Sequence, residues 1–264
     1  MSDRANIVVL GSGPAASSLG QGIHALGGDV VFIDTITPKA GSDSVAPGFD
    51  HAIAHADMVI AQSSGPLSVS AAERAASRLG AEGVFADLSP GTPAAKTKRA
   101  ALFPPGSYVD VTVLNEQAGS NEKLRMDVSG TAALKFIELL ASLDVDVEYV
   151  SDIPGDAAGR GLLRDLLVNG LAGVIVDCLW AAQSMGQQDW AYREILDGFE
   201  SASAETAKRL ISGTAQQVKH REMELLEIAQ MLRDSNYDSP MISALQFNYG
   251  RILHGTRVPF GRKP

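Results

Sequence analysis

The reading of the fold turns on Ile7-Val8-Val9-Leu10-Gly11-Ser12-Gly13-Pro14-Ala15-Ala16. Four apolar, mostly β-branched residues read as a strand buried on both faces. Two glycines and a proline then end the strand. The pattern from Ala15 to Leu26 is helical, and a second apolar run, Val30-Val31-Phe32-Ile33, ends on Asp34. Strand, G-x-G-x-x-A, helix, strand and terminal acid together form a dinucleotide fingerprint with alanine in the third glycine's place. In that reading Gly11 permits the tight turn, Gly13 lets the backbone approach a pyrophosphate, and Ala16 allows close helix–strand packing. Ser12, Pro14 and Ala15 complete the loop, and the helix N-terminus offers free N–H groups and its dipole to the phosphates. Asp34 would bond the adenosine ribose hydroxyls and repel a 2′-phosphate. Lys39 is the nearest cation after it, so the expected cofactor is NAD, with NADP the alternative. The plain structural reading is a tight turn that holds no ligand.

Working outward, short strand-like runs alternate with helical ones as far as residue 150. Strands are expected at Ile7–Leu10, Asp29–Asp34, Met58–Gln62, Gly83–Asp87, Tyr108–Thr112, Leu124–Ser129 and Val145–Val150, with Ala15–Leu26 and Ser70–Leu79 among the intervening helices. Such alternation marks an α/β doubly wound parallel sheet. After Pro154-Gly155 the strand signal stops. Helix-compatible stretches follow at Ala157–Met185, Trp190–Phe199, Ser203–Asp234 and Ser239–His254, and Gly255–Pro264 reads as a mobile tail. The expected organisation is a dinucleotide-binding domain over 1–154 and an all-helical domain over 155–264 that binds substrate and dimerises. Four long helices in so short a segment would leave apolar faces uncovered in a monomer.

Composition supports a globular chain. It has 264 residues, 45% apolar and 20% charged, ordinary usage for a folded protein. The net charge of −9 argues against binding nucleic acid or anionic membranes non-specifically. Cys178 is the sole cysteine, so neither an intrachain disulfide nor a multi-cysteine zinc site is open to the chain, and no metal is expected. Cys178, Trp180, Trp190 and Phe199 are read as core residues. No signal peptide is evident. The most apolar stretch, Leu162–Trp180, is interrupted by Arg164, Asp165, Asn169 and Asp177, short of what a membrane span needs. A soluble, cytoplasmic protein is expected.

Further motifs extend the reading. Gln62-Ser63-Ser64 follows a strand at the sheet's carboxyl edge, where such sheets bind ligands, and these side chains are cofactor-contact candidates. Asp87-Leu88-Ser89-Pro90, Val109-Asp110-Val111, Asp127-Val128-Ser129-Gly130, Leu163-Arg164, Asn169-Gly170 and His220-Arg221-Glu222-Met223-Glu224 complete a set that resembles the β-hydroxyacid dehydrogenase superfamily. That group includes 3-hydroxyisobutyrate and 6-phosphogluconate dehydrogenases and the imine reductases. Its branch with a phosphogluconate-dehydrogenase-like C-terminal domain is the most similar. The resemblance implies a Rossmann-type domain, a long connecting helix, a helical domain through which subunits dimerise, and a site between the two domains. It places Ser89 beside the nicotinamide.

Two segments depart from the family pattern. The family's G-x-G-x-x-x-K-x-x-N corresponds to Gly155-Asp156-Ala157-Ala158-Gly159-Arg160-Gly161-Leu162-Leu163-Arg164, so Gly161 stands at the lysine and Arg164 at the asparagine. The carboxylate-binding D-x-P-V-S-G-G corresponds to Asp110-Val111-Thr112-Val113-Leu114-Asn115-Glu116, leaving Thr112 and Asn115 as substrate-contact candidates. Arg164 and Asp165 share the helix face of Gly161, with Asn169 two turns along. Arg164 suits an anionic group or a polarised carbonyl. Asp165 is a general acid only if burial raises its pKa. Histidine is the side chain that ordinarily changes charge near neutrality, so His220 suits proton transfer. Each of these four has a packing or solvated-face reading beside the catalytic one. The expected function is NAD(P)-dependent hydride transfer to or from a small polar hydroxy or oxo compound. Reduction of a C=N bond, which needs no lysine at Gly161, is the alternative, and dinucleotide binding without turnover is a third reading.

Overall fold

The computed structural model describes residues 5–11, 13–33, 49–115 and 123–261. The chain divides into two compact units, Met1–Asp165 and Leu166–Pro264. The division falls within a helix that begins at Asp156, past the Pro154-Gly155 position where the strand pattern stops.

In chain order the first unit contains β1 (Asn6–Leu10), α1 (Pro14–Ala25), β2 (Asp29–Ile33), α2 (Phe49–Ala54), β3 (Met58–Ala61), α3 (Pro66–Ala76), β4 (Val84–Asp87), α4 (Pro93–Ala100), β5 (Tyr108–Val113), β6 (Leu124–Ser129), α5 (Ala133–Leu139) and β7 (Val145–Ser151). The seven strands make one sheet in the order β2-β1-β3-β4-β5-β6-β7. All seven fall where the alternating pattern expects them. Prolines at the first turn start α1, α3 and α4, where the missing N–H costs no helical bond.

Alternate strand residues feed two cores. Ile7, Val9, Met58, Ile60, Val109, Val111 and Phe136 pack on one side of the sheet. Val8, Leu10, Val59, Phe85, Phe103 and Tyr108 pack on the other. Both faces are therefore covered, as the unbroken apolar strands require.

The sheet is mostly, not wholly, parallel. Strand β6 runs antiparallel to β5, Asp110 facing Ser129 and Val113 facing Met126. A parallel return needs a crossover of a dozen or more residues, and the chain between β5 and β6 is shorter than that.

Four helices follow: α6 (Asp156–Ser184), α7 (Gln188–Glu200), α8 (Ala204–Asp234) and α9 (Pro240–Leu253). Ser203 and Thr206 cap α8 reciprocally, and α8 bends at Gln217, whose φ of −117° leaves the helical range. Within the second unit α8 packs on α9. The α8–α9 loop is tied to α6 by Asp177, which accepts from Tyr237 Oη at 2.6 Å and from Ser239 Oγ. That bond, with burial adding to it, pushes the Tyr237 phenol up to about 12.

Several side chains read as core are exposed in this chain: Cys178 and Trp180, Trp190 and Phe199, each more than half accessible. Helical spacing marks an apolar stripe without saying what covers it. The expected mobile tail is corrected in part. Gly261 is buried and bonds back to Val258, and a Cβ there would come within 2.8 Å of Ala215 Cβ on α8. No described helix is long and apolar enough to cross a membrane.

Candidate functional site

The strand order reverses between β1 and β3: the chain leaves β1 for β2 on one side and returns to β3 on the other. At such a switch point the loops diverge and leave room for a ligand at the carboxyl ends of the strands. Gly11 turns the chain there at φ +95°, its N–H donating to Ile33 O at 2.9 Å. A Cβ on Gly11 would run into Gln62 O, so glycine is required for close approach as well as for conformation. Gly13 caps α1. Ser12 and Asp34 lie outside the described residues, and with them the NAD-versus-NADP reading.

Gln62 leans across this loop from the end of β3. Its Oε1 accepts from Ala16 N at 2.9 Å, and a Cβ on Gly13 would collide with its Cδ, Cγ and Oε1. The room left by Gly13, assigned from sequence to a pyrophosphate, is thus filled by an amide of the same chain. Beside it Ser63 N donates to Ser89 Oγ at 3.0 Å, and Ser64 is exposed. Buried Ser89 in turn donates its N–H to Asp87 Oδ1 at 3.0 Å. The structure therefore brings Gly11, Gly13, Pro14, Ala15, Ala16, Gln62, Ser63 and Ser89 together at one sheet edge.

Next to them lies a buried charge network that the sequence reading missed. Asp87 at the end of β4 accepts from Arg99 Nε at 2.6 Å and from Tyr108 Oη at 2.7 Å. Lys96 Nζ donates to Asp87 O at 2.7 Å and pairs with Asp110 Oδ1 at 2.9 Å. Asp87, Lys96, Arg99 and Asp110 are all at most 5% exposed, and two carboxylates balance two cations. Burial would push the Asp87 carboxyl up, but Lys96, Arg99 and the Tyr108 hydroxyl together outweigh it and hold it below the usual range. Burial and the neighbouring Asp87 raise the Tyr108 phenol. An acid at the end of β4 and another inside β5, both in apolar surroundings, were the available signal, because buried carboxylates need cations. Lys96 and Arg99 stand three apart on α4, so both turn to the same side.

The same network fastens α6. Asp110 Oδ2 accepts from Ala158 N at 2.9 Å, and Ser129 Oγ accepts from Ala157 N at 3.0 Å. These are orphan donors of a helix N-terminus, and a carboxylate also suits the positive end of the dipole. One turn further, Arg160 reaches Glu148 at 2.6 Å and Asp127 at 3.4 Å. Gly161 is buried under Thr112: a Cβ there would collide with the Thr112 Cγ2 methyl. A side chain at position 161 fits only if Thr112 yields.

Asn115 follows β5 and binds backbone on both sides, donating to Lys123 O and accepting from Arg125 N, each at 2.8 Å. Arg164, Asp165 and Asn169 are exposed on α6. His220, exposed on α8, pairs with Glu224 at 3.2 Å, one turn along. Among the described residues no group of three or more His, Cys, Asp or Glu is set to hold a metal.

No family model matches the chain. An uncharacterised 28.5 kDa protein from Methanothermus fervidus is 23% identical over 172 residues, covering 65% of this chain and 66% of that protein, just under two thirds of its length. Among solved structures, a conserved protein of unknown function, described as structurally similar to 3-hydroxyacid dehydrogenases, superposes with a TM-score of 0.58 at 19% identity, over 94% of this chain and 96% of that one. A variant imine reductase from Myxococcus stipitatus in complex with NAD+ superposes with a TM-score of 0.76 at 13% identity, over 97% of this chain and 96% of that one. The imine reductase from the same organism in complex with NADP+ gives 0.73 at 13% identity, over 95% of each chain. At these identities the likeness establishes a shared fold: a Rossmann-type sheet followed by a helical region.

Proposed function

We propose that the protein is an NAD(P)-dependent oxidoreductase that moves a hydride to or from a small polar hydroxy or oxo compound. The observation that carries this reading is the glycine turn, Gly11 at φ +95° with α1 behind it, standing where the strand order reverses. Gly11, Gly13 and the Ala15 and Ala16 N–H groups are proposed to hold the pyrophosphate, Asp34 the ribose, and Ser63, Ser64 and Ser89 the nicotinamide side. The cofactor supplies or takes up the hydride when bound. Thr112, Arg164, Asp165 and Asn169 are proposed to bind and orient substrate, and His220 to move a proton. The imine reductases that share the fold are recorded with NAD+ and with NADP+, which supports a dinucleotide cofactor here.

Reduction of a C=N bond is the second reading, and the Thr112–Gly161 contact favours it. An iminium substrate already carries the positive charge that a lysine would otherwise provide. A fluorescence titration with NADH and NADPH tests the proposal. Saturable binding, tighter for NADH, is expected; absence of saturable binding by either overturns it. With cofactor bound, turnover of hydroxy acids and of cyclic imines separates the two chemistries, and binding with neither turnover leaves a dinucleotide-binding protein.

A further inference from the structure

We propose that the Gln62 side chain occupies the pyrophosphate position of the glycine loop, and that a dinucleotide binds by displacing it. This inference rests on the dinucleotide reading of the loop and adds the residue that sets its affinity.

The donors at the start of α1 are few. Pro14, at the first helical position, has no N–H, and Ser17 N is already committed to Gly13 O at 3.0 Å. Among the described residues, Ala15 and Ala16 carry the helical N–H groups that precede Ser17. Gln62 Oε1 takes the second of these. The same amide lies against the bare Cα of Gly13, where any Cβ would strike its Cδ, Cγ and Oε1. One side chain therefore meets both features that suit the loop to a phosphate, the free donor and the missing Cβ.

A neutral amide is a weak rival to a diphosphate. Hydrogen bonds from N–H to an ionised acceptor are roughly twice as strong as those to a neutral one, and the helix dipole favours the anion further. Displacement is therefore favourable overall, and among its costs is the loss of the Gln62–Ala16 bond. A net hydrogen bond of ordinary strength corresponds to roughly a three- to tenfold change in a dissociation constant.

Two substitutions give opposite signs. Gln62→Ala removes the rival and is expected to bind NADH roughly three- to tenfold more tightly than the wild type. Gln62→Glu keeps an acceptor within reach of Ala16 N and adds a negative charge beside the diphosphate, so weaker binding is expected. Both are titrated with NADH, and with ADP-ribose to remove any nicotinamide contribution. A residue that merely supports the fold would shift the melting temperature without moving the two affinities in opposite directions. If the wild type binds NADH and Gln62→Ala binds it equally or more weakly, the displacement proposal fails while the dinucleotide site stands. Weaker binding would make Gln62 a direct cofactor contact. If neither the wild type nor Gln62→Ala binds NADH or ADP-ribose, both readings fall. Binding by Gln62→Ala alone supports displacement in its strongest form.

Discussion

Gly161 shows how a single missing side chain is held in place by its neighbour. Alanine is favoured over glycine inside a helix by about 1 kcal/mol, so Gly161→Ala would stabilise an isolated α6. Here the new methyl meets Thr112 Cγ2, and overpacking of that kind costs about 1–3 kcal/mol. The clash outweighs the propensity, and a net loss of roughly 1 kcal/mol is expected in urea denaturation. Removing the offending methyl with Thr112→Ser should reverse the sign, so that Gly161→Ala stabilises in that background. A stabilising Gly161→Ala in the wild type would refute the contact. The glycine at position 161 is legible in the sequence; the threonine that packs against it is not. The two residues are far apart in the chain, and helix spacing points only to neighbours along α6 such as Arg164 and Asp165.

At the level of elements, the sheet was legible because its strands are dense in Val, Ile and Ala and are bounded by Gly and Pro. The direction of β6 was misread, since strand content carries no polarity; the short link from β5 was the usable clue. The motifs at the end of β4 and in β5 point in sequence to cofactor and substrate, yet Asp87 and Asp110 are spent on buried pairs with Arg99 and Lys96. This network carries a pH signature. Asp87 titrates lower folded than unfolded, so the unfolded chain takes up its proton first as the pH falls. Its contribution is complete above the unfolded value, about 3.9, and is lost on going further down through the folded value. Denaturation midpoints should therefore fall between about pH 5 and pH 2 more steeply for the wild type than for Asp87→Asn. Parallel curves would show that Asp87 does not couple to folding in this way.

For the molecule as a whole, the helices that follow the sheet raise the question of what covers them. Leu163 and Leu166 on α6 are 68% and 70% exposed, and Phe247 on α9 is 70% exposed. A helix apolar on all sides is ordinarily buried on all sides, and exposed large apolar side chains of this kind point to an association site. A homodimer is the proposed state, giving about twice the 27.7 kDa chain mass by light scattering. A Leu163→Glu/Leu166→Glu double variant is expected to shift it toward monomer, and a wild type that scatters as a single chain at micromolar concentration would refute the assignment. The long helices themselves were legible from Ser203, Ser239 and the glycines that bound them. Their exposure was not, because spacing records a stripe and not its partner. The way α6 begins also bears on how the molecule moves. Helix ends are ordinarily the first parts to fray, opening at almost no cost in free energy. Here the Ala157 and Ala158 amides are bound to Ser129 and Asp110, inside the sheet. The start of α6 thus opens on the timescale of the sheet, and any unwinding of this helix has to begin from its far end.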